Sequence, residues 1–184
     1  MPDFVNNREL KHYCPDFRPV RRALRSLGAR REPPRTQVDT YYRLPEQPVG
    51  RLPEQPGQRW RLKLRVERGR RTLVHYADAY DAGVRSVRYA LAGVPDPAVG
   101  RRLASALGVS VVVRKRREQW HAPRTLFNLD TIEGVGRVFE AEVAADDPAE
   151  TEALIARYRT LFGAYLGPPV GMSNEDLLRG SGGP

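Results

Sequence analysis

Val138-Phe139-Glu140-Ala141-Glu142-Val143 carries the chain's most pointed chemistry. As a β-strand it sets Val138, Glu140 and Glu142 on one face and Phe139, Ala141 and Val143 on the other. Two carboxylates at that spacing stand about 6–7 Å apart, close enough to share a hard cation with a bound anion between them. A basic stretch answers it. In Arg59-Trp60-Arg61-Leu62-Lys63-Leu64-Arg65-Val66 every second residue is cationic and the rest are apolar. Four like charges on one strand face repel unless something negative lies between them. Asn7-Arg8-Glu9-Leu10-Lys11 supplies a third mixed strand. Val109 to Arg117 turns from apolar to basic along its length, and Asp130, Glu133, Glu140 and Glu142 crowd one hairpin. Faces of this kind turned towards each other would hold metal and polyphosphate together; turned outward they would be solvated surface.

The elements that must position these residues are short. The 184 residues suit one domain, expected over 1–180 with a disordered tail at 181–184. A balance of 31 Lys+Arg against 22 Asp+Glu, net +9, points to an anionic partner. One cysteine, Cys14, excludes a disulfide framework, and His12, His75 and His121 have no ligand spacing. No apolar run approaches the roughly 20 residues of a membrane span, so a cytoplasmic protein is expected.

Strands are expected over 4–13, 36–43, 59–67, 71–76, 84–91 and 109–118. Another starts at Trp120 after a tight reversal, and a last one holds Glu140 and Glu142. Pro15-Asp16 opens a helix with Val20, Leu24 and Leu27 as its stripe and Gly28 at its end. Pro95-Asp96-Pro97 opens a second, with Val99, Leu103 and Leu107. Asp147 to Glu150 starts a third, striped by Leu154, Ile155, Tyr158, Leu161, Phe162 and Tyr165, and 174–179 forms a fourth. Arg43 to Pro48 and Arg51 to Pro56 repeat the same six residues. Two prolines per copy make 44–58 a flexible hairpin connection. Hairpin-joined strands with inserted helices give an α+β antiparallel class.

The motifs, taken in order, resemble the CYTH superfamily, which holds class IV adenylyl cyclases, thiamine triphosphatases and other triphosphate tunnel metalloenzymes. They are Asn7-Arg8-Glu9-Leu10-Lys11, Asp39-Thr40-Tyr41-Tyr42, Arg61 to Arg65, Val112 to Glu118, and Leu129-Asp130-Thr131-Ile132-Glu133-Gly134-Val135-Gly136-Arg137-Val138-Phe139-Glu140-Ala141-Glu142. The resemblance implies a closed eight-stranded antiparallel barrel around a triphosphate. It implies Lys11, Arg61, Lys63, Arg65, Arg88, Lys115 and Arg117 on the substrate, with Lys11, Arg65 and Lys115 at the reaction. It implies Glu9, Asp130, Glu140 and Glu142 on Mg²⁺ or Mn²⁺, with Glu133 a further candidate. The reaction it implies is ATP cyclisation to cyclic AMP and pyrophosphate. Hydrolysis of thiamine, inorganic or nucleoside triphosphate is the alternative, and non-catalytic binding of polyphosphate or nucleic acid a third. The implied partner is a small triphosphate rather than a membrane or nucleic acid, and the chain a monomer or homodimer. Two departures stand out: Asn7 replaces the first glutamate of the opening motif, and Asn174 replaces an aromatic residue in the C-terminal Ser173 to Leu178 segment.

Overall fold

In the computed structural model, residues 4–45, 59–81 and 83–180 are described. The repeated hairpin connection and the tail at 181–184 lie almost wholly outside that range. The elements run β1 (Val5–Tyr13), α1 (Phe17–Ser26), β2 (Arg30–Arg31), β3 (Arg35–Tyr42), β4 (Arg59–Glu67), β5 (Arg70–Asp81) and β6 (Val84–Gly93). Then follow α2 (Val99–Leu107), β7 (Val109–Ala122), β8 (Thr125–Ile132), β9 (Gly136–Ala144), α3 (Pro148–Phe162) and α4 (Asn174–Gly180).

Every strand pair is antiparallel, in the order β7-β3-β4-β5-β6-β1-β9-β8, and β8 pairs back onto β7. That last pairing closes an eight-stranded barrel with helices outside, as the alternation and the resemblance imply. The two-residue β2 hangs on the far end of β7, opposite Trp120 and His121. Closure gives each strand an inner and an outer face, so the period-2 pattern decides what enters the tunnel.

The outer face of β1, β8 and β9 carries Leu10, Phe127, Leu129, Phe139, Ala141 and Val143. They pack against Val20 and Leu24 of α1 and Ile155, Tyr158 and Phe162 of α3. Each large side chain so buried contributes about 1.5–3 kcal/mol. With this side of the sheet covered by helices, Glu9, Lys11, Asp130, Glu140 and Glu142 of the same strands take the inside. Asp16 caps α1 by accepting from the Arg18 N–H, and Asp147 caps α3 by accepting from the Glu150 N–H, as the sequence signals indicate.

Three local expectations are corrected. β7 runs unbroken through Trp120, and the reversal falls at residues 123–124, where Arg124 takes φ 56°. Trp120 is fully buried and donates to Glu118, two residues back on the same strand, which leaves no turn before it. The buried stripe of α3 is Thr151, Ile155, Tyr158 and Phe162, with Leu161 and Tyr165 exposed. The helix meets the barrel along one narrow line and turns the flanking apolar positions to solvent. β5 extends to Asp81, well past the expected end at 76.

A second apolar cluster fills one end of the barrel from within: Tyr41, Tyr76, Val113, Ile132 and Val138, with Leu178 of α4 against it. Helix α4 is the cover of that end, and its docking is polar. Asp176 is capped by Ser173, whose hydroxyl accepts the Asp176 N–H at 3.1 Å. Arg61 reaches out of β4 to Glu175 (2.7 Å) and Asp176 (2.6 Å).

Candidate active site

The tunnel encloses a cavity of about 240 Å³. From β1 come Glu9 and Lys11, and from β9 Glu140 and Glu142. Register sets Glu9 opposite Glu142 and Lys11 opposite Glu140. Lys63 and Arg65 enter from β4, Lys115 and Arg117 from β7, and Arg35 from β3. On the eight-strand ring β4 lies four strands from β9, so the basic and acidic faces oppose each other across the tunnel.

The carboxylates divide by their partners. Asp39 is fully buried and takes Lys63 Nζ at 2.8 Å and Arg65 Nε at 3.0 Å. Burial pushes its carboxyl up, but Lys63 and Arg65 outweigh it and hold the group well below the usual range. Asp130 is likewise fully buried. It accepts from Lys115 Nζ at 2.8 Å and from Arg117 Nε and Nη2 at 2.8 and 2.6 Å. It was expected among the metal ligands; the structure sets it behind the two cations, with both oxygens occupied. Glu140 accepts from Arg117 at 3.1 Å and lies 3.4 Å from Lys11 Nζ, and those cations overcome burial to lower its pKa.

Glu9 and Glu142 differ. Glu9 accepts from Arg85 at 2.8 Å, yet burial, with Glu142 and Glu140 alongside, pushes its carboxyl up to about 7. Glu142 accepts only the Asn128 amide at 2.6 Å and has no cation within ion-pair distance among the described residues. Burial, with Glu140 adding to it, raises its pKa. Among the lysines, burial lowers Lys11 to about 8 and Lys63 to about 7 against the pull of Glu140 and Asp39 respectively. An anion in the cavity would restore both charges.

Most of the expected site residues therefore meet in one cavity: Glu9, Lys11, Lys63, Arg65, Lys115, Arg117, Glu140 and Glu142. Arg61 does not line it. Besides Glu175 and Asp176 it pairs with Asp78 at 3.1 Å, so it fastens α4. Arg88 faces outward, opposite Asn6 and Ala77, with its guanidinium 4.5 Å over the Phe4 ring. The inward arginine of β6 is Arg85, which bonds Glu9 and Asp78. Three residues of spacing put Arg85 and Arg88 on opposite faces of a strand. Counting from the apolar Val87 would have selected Arg85 in the sequence. Asn7 is buried between Ala144 and Val87 and meets the Tyr89 hydroxyl. Asn174 accepts from Lys11 Nζ at 2.6 Å, so an amide at this departure ties α4 directly to the clamp.

Seven cationic side chains and three carboxylates around one small cavity form a site for a polyanion with a cation beside it. Residues 6–167 match the CYTH domain model. The chain belongs to the CYTH-domain family. Among curated proteins none matches this CYTH domain. Solved structures share its fold at low identity. PH1012 of Pyrococcus horikoshii is 21% identical, covers 94% of this chain and 99% of its own, and superposes with a TM-score of 0.73. A candidate adenylate cyclase from Vibrio parahaemolyticus is 17% identical over 95% of this chain and 98% of its own, TM-score 0.67. HpAC1 from Hippeastrum, a candidate adenylyl cyclase with a dominant triphosphatase activity, is 16% identical over 95% of both chains, TM-score 0.64. Among the described residues of this CYTH domain no helix is long and apolar enough to cross a membrane.

Proposed function

We propose that this CYTH domain is a divalent-metal-dependent enzyme that processes a triphosphate in its tunnel. The observation that carries the reading is the division of carboxylates: Asp39 and Asp130 brace the cationic clamp, while Glu142, half-buried on the tunnel wall, has no cation within ion-pair distance among the described residues. A bare anion receptor gains nothing from an unpaired carboxylate beside its ligand, since like charges repel. Among the described residues no three carboxylate, imidazole or thiol groups already converge on one point. Hard oxygen donors at facing positions of β1 and β9 nonetheless fit a hard cation, and Glu142 lacks the positive charge such an ion would bring. Glu142, Glu9 and Glu140 would hold Mg²⁺ or Mn²⁺. When bound, the ion would neutralise phosphate oxygens and favour the nucleophile.

The clamp does the rest. Arg65 and Arg117 spend Nε and Nη2 on Asp39 and Asp130 and offer the rest of each guanidinium to phosphate oxygens, and Lys11, Lys63 and Lys115 add point charges. Asp39 fixes Lys63 and Arg65, Asp130 fixes Lys115 and Arg117, and Asn174 holds Lys11 before substrate arrives, which lowers the ordering cost of binding. In the first reading, a nucleotide cyclase, the ribose 3′-hydroxyl oxygen attacks the α-phosphorus. Its proton is released, the bond from that phosphorus to the bridging oxygen breaks, and pyrophosphate leaves. The dominant triphosphatase activity of the Hippeastrum protein favours a second reading, with water attacking the terminal phosphorus and diphosphate and orthophosphate as products.

Incubating the protein with Mg²⁺ or Mn²⁺ and a panel of triphosphates, with products resolved by mass, tests the proposal. Cyclic nucleotide with pyrophosphate supports the first reading, and orthophosphate the second. No turnover of any triphosphate with either ion overturns both.

A further inference from the structure

The cavity wall has two unlike halves. β3, β4 and β7 bring most of the cations, and β1 adds Lys11 beside Glu9. Along β5 and β6 the lining is Val74, Tyr76, Val87, Tyr89 and Leu91, and the single cation there, Arg85, is held by Glu9 and Asp78. β6 stands four strands round the ring from β7, so the apolar strip faces the cation-rich strand. The strip also runs lengthwise. Val74 and Val87 are buried and join the apolar cluster that fills the α4 end. Tyr89 is half-buried beyond them. Leu91 stands six residues past Arg85, at the end away from α4, and is 59% exposed. A leucine that lines a polar cavity yet keeps most of its surface in water is not part of the core.

This wall is poorly matched to a triphosphate alone. Phosphate oxygens laid against Val87 and Leu91 would lose water and find no donor, a substantial cost. A triphosphate ester divides as the wall divides, with oxygens towards Arg65, Lys115 and Arg117 and carbon towards β6. Pockets that orient an organic ligand have this makeup, an apolar surface with a few convergent polar groups.

We infer that Val87, Tyr89 and Leu91 form the specificity surface for an organic triphosphate ester, whose aromatic or apolar group seats on β6 while its phosphates run inward to the clamp. The inference rests on the tunnel's being a triphosphate site, and it selects against inorganic triphosphate. Leu91 and Val87 bear no charge and no group that could hold a metal or move a proton, so they are specificity residues rather than reacting ones.

Melting-temperature shifts read occupancy without chemistry. Wild type would be titrated, with Mg²⁺ present, with ATP, GTP, thiamine triphosphate and inorganic triphosphate. At least one ester should half-saturate at a concentration about tenfold below inorganic triphosphate, and which ester does so names the organic group. Leu91→Ser should raise that ester's half-saturating concentration about fivefold and leave inorganic triphosphate within about twofold. Val87→Thr, nearly the same shape, should do the same on a second background. Inorganic triphosphate equalling every ester, or both variants weakening all ligands alike, overturns the inference while the triphosphate site stands. No shift by any triphosphate overturns the site itself.

Discussion

Asp130 and Glu142 lie on adjacent strands, both on the inner face, the first fully buried and the second half-buried, and they have opposite electrostatic lives. Asp130 is gripped by Lys115 and Arg117 through three contacts of 2.6–2.8 Å. Those cations outweigh burial and keep its pKa low. Among the described residues Glu142 has the Asn128 amide only, and burial drives its pKa up. Formal charge treats the two alike. Their neighbours make the first a brace and the second an unmet demand for a cation. The same contrast separates Arg61, spent on three carboxylates at the α4 end, from Arg65 four residues on, whose pairing with Asp39 leaves it lining the cavity.

The sharpest way to break the comparison is to neutralise each carboxylate in turn. Asp130→Asn strands two buried cations and should cost about 3–5 kcal/mol in chemical denaturation. Glu142→Gln removes a charge the fold does not satisfy. It should leave stability within about 1 kcal/mol yet cut metal-dependent turnover roughly 100-fold or more. Equal stability losses in the two variants would erase the distinction. Arg61→Met comes next, with an expected loss of about 3 kcal/mol as Asp78, Glu175 and Asp176 lose their shared cation. Triphosphate affinity falling at unchanged stability would instead return Arg61 to the substrate.

A titration sharpens the cationic side. Lys63 and Lys11 have folded values of about 7 and about 8, below the 10.5 of an unfolded lysine. Their neutral forms are favoured in the folded state, so the stability they contribute is present at high pH and is lost as pH falls from 10.5 through those values. A bound triphosphate favours the protonated forms, so binding should take up protons between pH 7 and 10.5 and weaken as pH rises through that window. Calorimetry in two buffers of different ionisation enthalpy reads this, and binding at about pH 8.5 without proton uptake would contradict it. The smallest effect belongs to Arg88→Ala. Loss of one cation–π contact with Phe4 should cost under about 1 kcal/mol, with triphosphate affinity unchanged in the same calorimeter.

Much of this molecule is legible in its sequence because a strand has only two faces. Strict alternation at Arg61-Lys63-Arg65, Lys115-Arg117 and Glu140-Glu142 commits each set to one side. The apolar residues between β9's glutamates, packed under α1 and α3, leave that side only the tunnel. Asp16, Gly28 and Asp147 mark helix ends because a cap is a local bond. The sequence thus determined the antiparallel class, the family and most of the inward charges. The tertiary structure alone decided which charges are free. That Asp130 faces two cations, that Arg61 belongs to α4 from residues more than a hundred positions later, that Asn174 meets Lys11, and that β6 offers Arg85 and an apolar strip to the cavity all depend on register and closure. Pair energies depend on separations of a few ångströms between residues far apart in the chain. Residue types and spacings do not carry those separations until the barrel closes.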